Sequence, residues 1–116
     1  MAGVTIYHNP RCRKSRETLE LIRKKGIEPE VIEYLKTPPS AKELDRILKL
    51  LKLEPRDLMR KKEKEFAKLK LKDPKHTRAA LISAMAKNPI LIERPIVLSK
   101  GRAALGRPPE KVKAIL

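Results

Sequence analysis

The fold is decided near the amino terminus, by the stretch Val4-Thr5-Ile6-Tyr7-His8-Asn9-Pro10-Arg11-Cys12-Arg13-Lys14-Ser15-Arg16. Its β-branched and aromatic beginning predicts a short strand, which Asn9-Pro10 ends. Strong helix formers follow, so the only cysteine, Cys12, is predicted at the start of a helix. There it would face free backbone N–H groups and the positive end of the helix dipole, which favour thiolate over thiol. We therefore interpret this stretch as the active centre and Cys12 as its nucleophile.

Two side chains near Cys12 could support its thiolate. His8 would lower the pKa of the thiol if the imidazole were protonated, and Ser15, one helical turn on, could donate a hydrogen bond to the sulfur. Each residue has an alternative interpretation, His8 as a strand-end residue bonded to backbone and Ser15 as a satisfied first-turn hydroxyl. A lone cysteine is itself often an inert buried residue, so the interpretation depends on the helix start and on the flanking His8-Asn9-Pro10.

The composition suits one small domain, predicted over residues 1–116. The chain has 29 lysines and arginines against 14 acidic residues, a net charge of +15. This excess predicts non-specific attraction to polyanions. Specific nucleic-acid binding is a lower alternative, because the chain offers only two tyrosines and one phenylalanine for base stacking and shows no nucleic-acid motif.

The compartment is predicted from cysteine usage and hydropathy. A single cysteine cannot form an intramolecular disulfide, and no signal segment is recognised. No apolar run approaches the roughly 20 residues that span a bilayer. We expect a protein of the reducing cytoplasm that has no membrane association.

The rest of the chain predicts alternating strands and helices. In order, the patterns indicate a helix at 13–25 ended by Gly26, a strand at 30–35, a helix after Ser40, a helical turn at 54–60, a helix at 77–87, strands at 96–98 and 102–105, and a last helix that begins within 106–110. The charged segment 61–72 is expected to form exposed short helices or loops. The first strand, helix and second strand favour a parallel pair with a right-handed crossover, and the last two strands favour a hairpin.

A βαβ unit and a ββα unit that share one sheet, with a cysteine where the first strand meets the first helix, form a thioredoxin-like plan. The predicted fold class is therefore α/β, with a four-stranded mixed β-sheet and a helical insertion at 40–88.

Five pieces of sequence then make the chain recognisable. They are His8-Asn9-Pro10-x-Cys12 with Ser15-Arg16, Tyr34-Leu35-x-Thr37-Pro38-Pro39, Leu58-x-Arg60-Lys61, Asn88-Pro89-x-Leu91-Ile92-x-Arg94-Pro95-Ile96 and Gly106-Arg107-Pro108. In this order and spacing they resemble the glutaredoxin-coupled arsenate reductase family, called ArsC, over essentially the whole chain.

The resemblance implies a reaction and a set of site residues. Cys12 would attack arsenate and form a thiol-linked intermediate, which glutathione and then glutaredoxin resolve with release of arsenite. Arg60, Arg94 and Arg107 match the arginines that bind the oxyanion, and Pro95 matches the cis-proline beside the active cysteine. The implied partners are a small oxyanion substrate and glutaredoxin, with glutathione as co-substrate, no bound cofactor and no metal.

The chain departs from the reductases directly after the cysteine, where they carry Gly-Thr and this chain has Arg13-Lys14. The bulkier cationic pair could strengthen anion attraction or crowd the pocket. One alternative function is a regulator resembling Spx, the same-fold protein that binds RNA polymerase, although Spx-type chains usually carry Cys-x-x-Cys and this chain has Ser15 in the second place. Another is a catalytically inactive or redesigned ArsC-fold scaffold.

Overall fold

The computed structural model describes residues 3–116, which form two compact units. One unit contains the chain up to Thr37 together with Arg94–Leu116, and the other is Pro38–Glu93. The helical insertion predicted at 40–88 falls within the second unit. The prediction that residues 1–116 make a single domain stays a prediction.

The first unit carries the sheet. Its elements are β1 (Val4–His8), α1 (Arg13–Lys24), β2 (Glu30–Glu33), β3 (Ile96–Ser99), β4 (Arg102–Leu105) and a 3₁₀ helix at Pro109–Ile115. The four strands described lie in the order β2-β1-β3-β4. β1 runs parallel to β2 with Ile6 opposite Val31, and antiparallel to β3 with Ile6 opposite Val97, while β3 and β4 form an antiparallel pair. The predicted α/β fold with a mixed four-stranded sheet is confirmed.

An apolar core holds α1 and the carboxy-terminal 3₁₀ helix against the sheet. Its buried members are Val4, Ile6, Ile22, Val97, Val112 and Ile115. Ile6, Ile22 and Val97 are fully buried, and burying such side chains contributes about 1.5–3 kcal/mol each. Since β1 and α1 are both anchored in this core, the short segment between them is held in a fixed place.

The second unit is helical and contains α2 (Ala41–Leu51), α3 (Lys64–Lys68) and α4 (Arg78–Lys87), with 3₁₀ helices at Pro55–Leu58 and Pro89–Leu91. A 2.9 Å ion pair joins Arg78 of α4 to Asp45 of α2. An isolated bridge pairs Met59 with Ile92. Among residues 3–116, no helix has the length and apolar character needed to cross a membrane.

Two sequence-based expectations about local structure were wrong. The last helix is 3₁₀ rather than α. The segment 61–72 is not wholly exposed, because Phe66 is 9% exposed and Leu71 is 2% exposed. Its lysines remain outside while these two side chains turn inward, and so many charged neighbours hide an apolar signal of only two residues.

Candidate active site

Cys12 lies where β1 passes into α1. It is the N-cap residue of α1, with extended backbone angles of φ −95° and ψ 122°, and its side chain is half-buried. The turn before it is fixed by buried Asn9, whose carbonyl accepts the Cys12 N–H at 3.0 Å and whose Oδ1 accepts the Arg11 N–H at 2.9 Å. The sequence marked Asn9 only as a strand end, whereas its side chain also shapes the loop that presents the thiol.

Two of the three predicted arginines reach Cys12. Arg94 precedes β3 and Arg107 follows β4, so the antiparallel hairpin returns both to one end of the sheet. The Nη1 atom of Arg107 lies 3.9 Å from Cys12 Sγ and donates to the carbonyl oxygen of Arg94 at 3.2 Å. The side chain of Arg94 is also within hydrogen-bonding reach of the sulfur. The sulfur is therefore bordered by two guanidinium groups.

The surroundings of Cys12 favour its thiolate. Burial of the sulfur raises the pKa of the thiol. The backbone N–H of Ser15, the side chain of Arg94 and the backbone N–H of Lys14 lower it, and together they outweigh burial. The pKa of Cys12 consequently lies below its ordinary value. The thiol does not make a geometrically complete capping hydrogen bond, yet these N–H groups lie close enough to stabilise a negative sulfur.

His8 and Ser15 form a buried pair behind the site. His8 Nδ1 and Ser15 Oγ are 2.6 Å apart, and Ser15 Oγ also accepts the Asn9 N–H at 3.0 Å. The Ser15 hydroxyl donates to His8 Nδ1 or accepts from it according to the tautomer of the imidazole. Burial lowers the pKa of His8, opposed by Glu33 and reinforced by Arg23 and Arg16. The lowered pKa favours the neutral imidazole and gives no support to a protonated His8 beside the thiol, and the supporting roles of both residues stay predictions.

The third predicted arginine, Arg60, belongs to the second unit. Its guanidinium is paired there with two carboxylates, through Nε to Glu63 at 3.1 Å and through Nη1 to Glu93 at 3.0 Å. Burial of Arg60 disfavours its charge, but these carboxylates outweigh burial and raise its pKa. Nothing in the sequence distinguishes Glu63 or Glu93 from the other acidic residues of this charged chain. The oxyanion-binding role of Arg60 stays a prediction.

Comparison with known proteins decides the family. The model of the ArsC family matches residues 7–115. The chain belongs to the ArsC family. It is 46% identical over 117 residues to arsenate reductase of Neisseria meningitidis serogroup A, covering 100% of both chains. It is 53% identical to the uncharacterized protein YfgD of Escherichia coli (strain K12), covering 97% of this chain and 96% of that protein.

Solved ArsC-related structures agree in fold. The arsenate reductase of Vibrio cholerae is 52% identical, covers 99% of this chain with 98% of its own, and superimposes with a TM-score of 0.96. The resemblance to the glutaredoxin-coupled arsenate reductases is thus confirmed at the level of the family.

The ArsC-family site differs from the expected pattern at Arg13 and Lys14, whose side chains both pair with Glu17. The side chain of Arg13 is 82% exposed and pairs with Glu17 at 3.1 Å, and that of Lys14 is 46% exposed and pairs with Glu17 at 3.8 Å. The pair therefore lies at the surface next to Cys12 in the sequence, and Glu17 offsets part of its positive charge.

Two X-Pro peptide bonds directly follow the two arginines of this ArsC site. The Arg94–Pro95 and Arg107–Pro108 peptide bonds are both cis. Pro95 is buried, and its carbonyl accepts the Gly106 N–H at 3.0 Å. The segments that carry Arg94 and Arg107 are thereby joined directly beside the two arginines. The sequence marks Gly106 only as part of the Gly106-Arg107-Pro108 motif, in which a glycine directly before a site arginine is the signal of close packing.

Proposed function

We propose that this ArsC-family protein is a thiol-dependent oxidoreductase in which the Cys12 thiolate reduces arsenate. One observation carries the proposal, namely that Arg94 and Arg107 meet the half-buried Cys12 sulfur at the start of α1. The identity to arsenate reductases along the whole chain supports the choice of arsenate.

The charges at the site suit an anionic substrate. A guanidinium group presents planar pairs of N–H donors that match two oxygens of an oxyanion. The N-terminus of α1 adds backbone N–H groups and a partial positive charge. These groups would hold arsenate beside Cys12 and offset the repulsion between a thiolate and an anion.

The electron balance requires a second thiol. Reduction of arsenate to arsenite takes two electrons, and Cys12 can supply them only if its sulfur ends in a disulfide bond to another thiol. The chain has one cysteine, so the second thiol comes from another molecule. We propose glutathione as this co-substrate, with glutaredoxin reducing the resulting mixed disulfide and regenerating Cys12. A reducing cytoplasm, which we predict as the compartment, would supply glutathione.

Arg60 is proposed as a third contact to the oxyanion. Glu63 and Glu93 each accept from one of its N–H groups, and a guanidinium has five donors. An Arg60→Lys variant keeps the charge and loses the planar fork. If Arg60 contacts the substrate, this variant raises the KM for arsenate, and an unchanged KM would remove Arg60 from the site.

The test is arsenate-dependent consumption of reducing equivalents by the purified protein with glutathione and glutaredoxin. Turnover is expected with the wild type and not with Cys12→Ser, whose circular dichroism should match the wild type. Equal consumption by both proteins would refute the reductase assignment. The two alternative functions, a regulator that binds RNA polymerase and an inactive scaffold, would then be favoured.

A further inference from the structure

A tight contact lies behind the site, where Thr18 of α1 meets Gly106 and Pro95. A Cβ atom added at Gly106 would lie 2.7 Å from Pro95 Cγ, 3.0 Å from Thr18 Cγ2 and closer still to Thr18 Oγ1. Real Cβ atoms essentially never approach other heavy atoms below 3.0 Å. Since the backbone of Gly106 does not have a positive φ, it is space and not chain conformation that requires glycine here.

The partners in this contact are held by hydrogen bonds. Thr18 is fully buried, and its hydroxyl donates to the Lys14 carbonyl at 2.8 Å and lies 3.4 Å from the Gly106 carbonyl. Gly106 donates its N–H to the Pro95 carbonyl at 3.0 Å. Well-packed interiors transmit displacement instead of absorbing it. A larger residue at this position would therefore shift α1, the segment before β3 or the segment after β4.

Each of those segments carries a group of the site. Pro95 directly follows Arg94, Gly106 directly precedes Arg107, and Thr18 lies on the helix that begins at Cys12. We propose that Thr18 and Gly106 are positioning residues, whose contact sets the distance between the Cys12 sulfur and the guanidinium groups of Arg94 and Arg107. The proposal rests on the proposed role of Cys12 as the nucleophile, and neither positioning residue is required to touch the substrate.

The first experiment is Gly106→Ala, with two measurements. The rate of Cys12 alkylation by iodoacetamide across a pH series should show a pKa shifted upward, because Arg94 and Arg107 move away from the sulfur. With arsenate, kcat/KM should fall by about 100-fold, the effect typical of a 1 Å misplacement of reacting groups. A role in packing alone would change the thermal midpoint and leave the alkylation pKa where it is in the wild type.

Rescue variants test the contact itself. In the Gly106→Ala background, Thr18→Ala removes Oγ1 and Cγ2 but leaves Pro95 Cγ 2.7 Å from the new Cβ, so it should return the alkylation pKa part of the way toward the wild-type value. Thr18→Ser keeps Oγ1, the nearest atom, and should not rescue. Gly101→Ala is the matched control for a strained glycine, since Gly101 has φ +72° with no atom near its Cβ position, and it should leave the alkylation pKa unchanged.

Two results would overturn the proposal, an unchanged alkylation pKa in Gly106→Ala or an equal response to Thr18→Ala and Thr18→Ser in that background. If Gly106→Ala does not fold, Thr18→Ile extends the side chain at the same contact from the helix side, and its alkylation pKa decides by the same criterion. Alkylation does not depend on arsenate. A wild type that fails to reduce arsenate, with the expected alkylation pattern, would refute the proposed function and leave the positioning role standing.

Discussion

The starts of α1 and α2 show two uses of the same helix geometry. At α2, the Ser40 hydroxyl accepts the Glu43 N–H at 3.1 Å, and Glu43 places a negative charge in the first turn. At α1, Cys12 takes the N-cap position without a complete capping hydrogen bond, and the first turn, which the structure describes in full, contains no acidic residue. The positive end of α2 is neutralised by its own residues, whereas that of α1 faces the thiol and two arginines.

The difference shows which helix start serves stability and which serves reactivity. A serine N-cap and an acidic first turn each stabilise a helix, by roughly 1 kcal/mol and 0.3–1 kcal/mol. The start of α1 gives up both contributions. What it gains is a set of N–H groups and positive charges directed at a sulfur whose pKa lies below the ordinary value. The start of α1 therefore lacks two stabilising interactions and instead favours the thiolate form of Cys12.

The largest effect is expected from Cys12→Ser, which should abolish arsenate-dependent turnover and yet stabilise the fold. Serine is a preferred N-cap, so at acidic pH, where the wild-type thiol is protonated, the free energy of unfolding should rise by up to about 1 kcal/mol. Urea denaturation of both proteins at the same pH measures this change. A clear loss of stability would mean that α1 does not sacrifice capping for reactivity.

The next largest effect is expected from Arg94→Ala. Loss of the guanidinium should raise the pKa of Cys12, measured by alkylation, and should reduce kcat/KM for arsenate by about 10²–10³, as with removal of other preorganised donors to an anion. Arg102→Ala serves as the control, because Arg102 donates to the Ala114 carbonyl and should leave both quantities near the wild-type values. Similar losses in the two variants would point to net charge rather than to the contact with sulfur.

Stability should depend on pH through the same thiol. The pKa of Cys12 is lowered in the folded protein, while the unfolded chain has an ordinary thiol pKa of about 8.5. Between these two values the unfolded state binds more protons, so stability rises with pH there, is fully gained above about 8.5, and is lost as pH falls through the folded pKa. The difference in unfolding free energy between wild type and Cys12→Ser should follow this course in urea titrations from pH 6 to 9. A flat difference would contradict the lowered pKa.

Ser40→Ala tests the other side of the comparison. Loss of the capping hydroxyl should cost about 1 kcal/mol of unfolding free energy. The pH profile of Cys12 alkylation should not change, because the Ser40 hydroxyl caps α2 and not α1. A shifted alkylation pKa would show that the two helix starts are not independent.

The smallest effect is expected from the double variant Arg13→Gly/Lys14→Thr, which restores the pair typical of the reductases. Both side chains are exposed and paired with Glu17, and exposed charges are strongly screened by salt. At physiological ionic strength, kcat/KM for arsenate should change by less than about threefold. Arg13→Ala/Lys14→Ala controls for the helix propensity of glycine. A tenfold gain in the first variant alone would show that the native pair crowds the substrate.

The fold was largely predictable because its signals are local. Alternation and β-branching marked β1, Ser40 with Glu43 marked the start of α2, and Ser99-Lys100-Gly101 marked the hairpin turn. The burial of Phe66 and Leu71 is not predictable from the sequence, because two apolar residues among many lysines form no hydrophobic periodicity. The carboxy-terminal helix was recognised, but its 3₁₀ geometry depends on packing that sequence does not display.

The sequence predicts which residue types form the site, but it does not predict the distances between Cys12 and the arginines. A cysteine at a helix start and arginines at strand ends can be seen in the sequence, but whether they meet depends on tertiary contacts. Thr18 looks like an ordinary helix residue in the sequence, and its close contact with Gly106 is visible only in the structure. The lowered pKa of His8 likewise follows from burial, which the sequence does not report for a single side chain.

The guanidinium groups and the helix start beside Cys12 also bear on selectivity. Guanidinium groups and helix N-termini suit negative charge and the oxygen arrangement of a tetrahedral anion, and phosphate offers both. Binding should therefore admit phosphate almost as readily as arsenate. Discrimination would then fall to the chemistry at the central atom, because arsenate can accept two electrons from thiols and phosphate cannot. Phosphate should therefore compete with arsenate for the proposed site without being converted.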